Sequence, residues 1–118
     1  MTMSNEEIEA AIPFNNAALV SYSDNSIIVR TIMSKPTGHI SVAAFAIGES
    51  MEGKISPFNT LLQIIEGEAE IVIGGESYNV CESQSIIVPA NLRSTLIAKT
   101  EFKVLTTVIK SGYESVTH

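Results

Sequence analysis

Few residues in this chain are equipped for chemistry. Among 118 residues there are two histidines, His39 and His118, and one cysteine, Cys81. Three imidazoles from one chain are therefore ruled out, and with them the histidine-rich sites that transition metals favour. One thiol excludes an intrachain disulfide and any multi-cysteine zinc or iron–sulfur site built by a single chain. Cys81 closes the stretch Tyr78-Asn79-Val80-Cys81. It reads as a small buried strand residue, because a nucleophilic thiol needs a base or a cationic field beside it. His39 opens a strand as an edge imidazole, and His118 ends the sequence. Glu49 and Glu52 are the carboxylates left for an unusual metal site. General acid–base chemistry would draw on Lys54 as base with Glu52 nearby, and on Tyr22 or Tyr78 as proton donors. No pair among these has a diagnostic spacing.

The elements that must position these groups are short strands. From Pro13 onward, β-branched and apolar runs alternate with turn residues at fairly even spacing, the punctuation of an all-β chain. The runs cover residues 17–22, 27–33, 40–47, 61–66, 68–73, 77–81, 85–88, 95–98 and 102–109. The clearest is Glu68-Ala-Glu-Ile-Val-Ile73, followed by Gly74-Gly75. Adjacent glycines can both take positive φ, as a two-residue type I′ hairpin turn requires. Alternation puts Ala69, Ile71 and Ile73 on a dry face and Glu68 and Glu70 on the wet one. At the N-terminus, Ser4-Asn5-Glu6-Glu7 has the form of a capping box and predicts a short helix over residues 5–11, which Pro13 would stop.

Composition narrows the partners. Thirteen acidic against seven basic residues leave a formal charge of -6, with no basic cluster to track a phosphate backbone. Nucleic acid and anionic membranes are therefore not expected partners. Residues 1–11 lack the basic start and apolar core of a secretory signal, and the longest apolar run, residues 42–47, is too short to span a bilayer. A cytoplasmic protein is expected. The length suits one domain over 1–118, and a hydrophobic fraction of 45% is high for a chain of this size. That excess predicts that a subunit interface covers part of the apolar surface.

From Gly48 to Ala98 the spacing resembles that of the cupin superfamily, known by the motifs G-x5-H-x-H-x3-E-x6-G and G-x5-P-x-G-x2-H-x3-N. Gly48 is followed at the first motif's spacing by Lys54, Ser56, Thr60 and Gly67. In the second motif Ser83, Pro89, Asn91, Ser94 and Ala98 occupy the successive positions. Asn91 is a mild exchange for glycine, since asparagine tolerates positive φ. The strings Ile65-Glu66-Gly67-Glu68-Ala69-Glu70 and Ile86-Ile87-Val88-Pro89-Ala90-Asn91 are likewise similar to those of small single-domain cupins. The resemblance implies an all-β, single-domain jelly-roll barrel, with a helix or arm over about 1–16 and a barrel core over about 38–110. It also implies a homodimer, with residues 17–22 and 27–33 as candidates for the contact.

Cupins that carry metal hold it with three imidazoles and a carboxylate inside the barrel. At those positions stand Lys54, Ser56, Thr60 and Ser94. An ammonium has no lone pair, and neutral hydroxyls are weak ligands for transition metals, so neither a metal nor any other cofactor is expected. If residue 54 points inward as in the family, residues 56, 60, 62 and 64 share its face. Lys54, Ser56, Thr60 and Ser94 then make a polar spot above an apolar floor that includes Leu62, a pocket for a small polar or anionic metabolite. The alternatives are a metal-independent isomerase, epimerase or lyase, and a non-catalytic dimeric interaction protein.

Overall fold

The computed structural model describes residues 1–4, 6–53 and 55–110. Nine strands are found there: β1 (Thr2–Ser4), β2 (Ile27–Lys35), β3 (Gly38–Phe45), β4 (Ser50–Glu52), β5 (Thr60–Ile73), β6 (Glu76–Cys81), β7 (Ser85–Val88), β8 (Ser94–Ile97) and β9 (Phe102–Ile109). Their order is β1-β2-β3-β9-β5-β8-β4, with β6 and β7 each also paired to β5. All pairings are antiparallel except β1 with β2. The sheet curls on itself because β5 serves two layers. Its first half pairs with β7 and β9, and its second half with β6 and β8.

What lets β5 turn from one layer into the other is a register shift between Ile64 and Glu66, followed by Gly67 at φ +80°. Bulges of this kind bend a strand and raise its twist. The sequence runs 61–66 and 68–73 are thus one strand of 14 residues. Inside the curl, Phe45 and Phe102 are fully buried and paired in register, their rings stacked with centroids 4.5 Å apart. Ile64, Ile71, Val104 and Leu96 complete the centre of this core. The expected alternation holds, since Ala69, Ile71 and Ile73 are buried. Gly74 and Gly75 both have positive φ between the paired residues Ile73 and Glu76.

Two expectations for the N-terminal region are corrected. No helix forms over the described part of residues 5–11; Asn5 itself lies outside the described residues. Thr2–Ser4 is instead a strand laid parallel on β2, and the Ser4 hydroxyl accepts from the nearby Glu6 N–H. An isolated helix of two turns is marginal, whereas the edge of β2 offers backbone partners at once. Nor are residues 17–22 a strand. Asn16–Leu19 form a 3-10 turn, the only helical element among the described residues, with the Asn15 side chain accepting from the Ala17 N–H.

After this turn the chain packs across the outer face of the curl. Val20 is buried there with Val42 and Ala44, and Leu19 and Tyr22 lie beside them. Polar contacts fasten the strap: Tyr22 Oη donates to Glu66 at 2.5 Å, and the Lys103 ammonium donates to the Ala17 carbonyl at 2.7 Å, 5.0 Å from the Tyr22 ring centroid. Burial and then the Glu66 carboxylate raise the Tyr22 phenol above its ordinary range. The Tyr22 hydrogen bond and Lys103 hold Glu66 below the usual carboxylate range.

Candidate functional site

The cavity of the barrel lies where β4, β5, β8 and β9 converge. It measures about 160 Å3, and among its lining residues are Ser56, Thr60, Leu62 and Ser94. Lys54, the fifth residue expected there, lies outside the described residues. Thr60 and Leu62 are on β5 and share a face by the two-residue period, while Ser94 opens β8 opposite Ile73. Ser56 belongs to the loop between β4 and β5.

That loop is held by hydrogen bonds from the main chain of the loop before β8. The Asn91 N–H donates to the Ser56 carbonyl at 2.7 Å, and the Ala90 N–H donates to Asn59 Oδ1 at 2.8 Å. Asn91 presents its N–H from a left-handed conformation, φ +67°, at the position where the motif has glycine. The Ser56 hydroxyl accepts from the Phe58 N–H at 3.1 Å. On the other side, the Gly53 N–H donates to the Ser94 carbonyl at 2.7 Å. A Cβ on Gly53 would stand 3.0 Å from the Ser94 hydroxyl oxygen, so the glycine leaves this hydroxyl its room.

Thr106 of β9 is a fourth hydroxyl on the cavity, opposite Leu62 in register, and sequence reasoning missed it. The signal was there: Phe102 and Val104 face inward, and the period of two carries on to 106. Met51, Phe58, Val88, Leu92 and Leu96 make the apolar part of the lining. The arrangement can hold a molecule by hydrogen bonds to several hydroxyls and by apolar contacts.

The remaining candidates are placed elsewhere. Glu52 is ion-paired with Arg93 at 2.5 Å, and both side chains are more than half exposed, so the pair contributes at most about 1 kcal/mol. Tyr22 is in the strap, and Tyr78 Oη donates to Glu76 at 3.0 Å on an exposed surface; neither lines the cavity. Glu49 is likewise off the cavity, where its carbonyl accepts from the Ala98 N–H. Cys81 is exposed, contrary to the buried position expected, because it is in register with the exposed Glu68 and so faces outward, while Val80, opposite Ala69, takes the buried side. His39 stands at the start of β3, as expected, and is paired with strands on both sides. Burial, then Lys110, lowers its imidazole pKa from the ordinary value. His118 lies outside the described residues.

Donor chemistry sets what the cavity can hold. The described groups at the family's ligand positions are the hydroxyls of Ser56, Thr60 and Ser94. Among the described residues no three His, Cys, Asp or Glu side chains cluster. Neutral hydroxyls do not fit the preferences of a transition-metal ion.

No family model matches the sequence, and no curated protein matches it. Solved structures do. One is a conserved protein of unknown function from Streptococcus pyogenes, 29% identical over 93% of this chain and 95% of that one, with a TM-score of 0.81. A second is a cupin superfamily protein from Desulfitobacterium hafniense, 24% identical over 90% of this chain and 97% of that one, TM-score 0.80. A third is a cupin 2 conserved barrel domain protein from Leptotrichia buccalis, 27% identical over 82% of this chain and 47% of that one, TM-score 0.78. The curled sheet, the spacing of both motifs and these likenesses agree: the chain has the fold of the cupin superfamily, similar to that of small cupin proteins.

Proposed function

We propose that this cupin binds a small polar metabolite inside its barrel without a metal ion. The observation that carries the reading is the meeting of Ser56, Thr60 and Ser94, from three separate segments, around one cavity floored by Leu62. A cavity of about 160 Å3 is close to the size that accepts a benzene ring, so the ligand or its bound part has only a handful of non-hydrogen atoms. Hydroxyls donate and accept, which suits alcohols, amides and carboxylates alike. Lys54 is the proposed charge partner for an anionic ligand. A reducing compartment such as the cytoplasm suits the one free thiol.

The test is a titration with two- to four-carbon alcohols, amides and carboxylates, read by thermal shift and by amide NMR signals. The wild type is expected to be stabilised by at least one class, with shifts at Thr60 and Ser94. Thr60→Val combined with Ser94→Ala removes two neutral hydrogen bonds and weakens that binding by about 2 kcal/mol, roughly thirtyfold. No stabilisation and no shift from any of these compounds would contradict the reading.

A second reading, self-association, is favoured by apolar surface on the outer face of the sheet. There Met33 of β2 is 53% and Ile109 of β9 56% exposed, and the Arg30 Nε is buried with no partner among the described residues. We propose that a second copy covers this face. The expected result is a mass in solution twice that of the chain, falling to the monomer in Met33→Lys/Ile109→Lys. A monomeric wild type at micromolar concentration would contradict it.

A further inference from the structure

A second hollow lies against the first. It is a groove of about 460 Å3 whose walls include Ile73, Tyr78, Ile86 and Ile87, and it shares Pro89 and Leu92 with the barrel cavity. The topology explains the opening. β6 and β7 each pair with β5, but along different stretches, Glu68–Ile73 against β6 and Thr60–Gln63 against β7. They do not pair with each other, so the curled sheet has an unzipped seam between them.

The seam leads inward. Tyr78 is in register with Ile71, and Ile86 with Leu62, and both partners are buried in the core, so Tyr78 and Ile86 belong to the inward-facing set. Yet Tyr78 is 41%, Leu92 42% and Ile87 59% exposed, an apolar wall standing in water. The one titratable carboxylate in the groove, Glu76, already accepts from the Tyr78 hydroxyl. Among the described residues no lysine or arginine lines the groove. No described side chain in it would hold an anion, and its apolar walls fit a hydrocarbon.

Resting on the cavity reading above, we infer that the ligand is amphiphilic. Its polar end sits among the hydroxyls of Ser56, Thr60, Ser94 and Thr106, and an apolar tail passes the Pro89–Leu92 wall into the seam between β6 and β7. Adjacency favours this occupant: the two hollows share Pro89 and Leu92, so a chain anchored in the small cavity that passes these two residues meets the apolar surface of the groove.

Straight-chain alcohols test it, from 1-butanol through 1-hexanol to 1-octanol, titrated into the full chain and followed by amide NMR. Affinity is expected to rise by up to about fourfold per added methylene, with shifts at Tyr78, Ile86 and Ile87 appearing for the longer alcohols only. Ile87→Asn, an exposed and structurally tolerant position, should flatten this dependence and leave 1-butanol unaffected. If 1-octanol binds no tighter than 1-butanol, the tail inference falls while the cavity reading stands. If no alcohol shifts the cavity signals, both fall. If Ile87→Asn lowers the mass in solution instead, a second copy covers the groove and the inference is overturned.

Discussion

Phe102→Ala is expected to cost about 3–5 kcal/mol of unfolding free energy, measured by urea denaturation at constant pH. Phe102 has no exposed surface, and its ring stacks on that of Phe45 at 4.5 Å and 15°. The pair joins β3 to β9, and Phe102 is also in register with Gly67 where β5 bends. Truncation therefore loses the transfer energy of a whole ring and leaves a void whose walls are strands held by hydrogen bonds and unable to collapse. A domain of this size has about 5–15 kcal/mol in total, so the variant stands near the edge of folding. Phe102→Leu, which keeps most of the volume, should cost far less. A loss below about 1 kcal/mol in Phe102→Ala would mean that the stacked pair is not the centre of the core.

Gly67→Ala is expected to cost about 3 kcal/mol or more, for a different reason. The residue sits at φ +80°, where an L side chain is disfavoured, and an added Cβ would stand 2.4 Å from the Glu101 carbonyl oxygen and 3.0 Å from the Phe102 Cα. Both obstacles are backbone, so relief requires β5 and β9 to separate at the bend. Gly75→Ala is the control. It also has positive φ, +87°, but nothing lies within 4 Å of its added Cβ, so only the conformational cost of about 1 kcal/mol applies. Equal losses in the two alanine variants, by thermal or urea unfolding, would show that the close approach of Gly67 to β9 does not matter.

These positions also show what the chain order alone reveals. The Gly74-Gly75 hairpin, β7 and β9 were legible because each is specified locally, by two residues tolerant of positive φ or by an unbroken β-branched run between turn signals. Gly67 was legible as a motif glycine, but not as the bend of one long strand, since a bulge that joins two runs reads in sequence as a gap between them. The three residues of β4 went unrecognised because Ser50-Met51-Glu52 has no pattern of its own and is a strand only through its pairing with β8. The N-terminus misled for the same reason. A capping-box sequence is a local signal, and the parallel pairing of Thr2–Ser4 with Ile28, Val29 and Arg30 is a long-range one that outweighed it.

Motif spacing pointed to Ser56, Thr60 and Ser94 as pocket candidates and strand parity to Leu62, and all four line the same cavity. Leu92, Phe58 and Thr106 were not identified. The first two lie in loops without a period, and Thr106 is on the strand after the last motif position. The exposed Cys81 was misjudged because its face is set by the register that pairs it with Glu68 of β5, which a local stretch of sequence does not state.

A high-resolution crystal structure of the protein, as purified and after soaking with 1-butanol, measures most directly whether the barrel cavity is a binding site or a packing defect. Density for a small organic molecule bonded to the Thr60 and Ser94 hydroxyls is expected in at least one of the two, and its loss in Thr60→Val/Ser94→Ala. Wild-type crystals whose cavity is closed by repacked side chains, or holds only water in both conditions, would contradict the binding site.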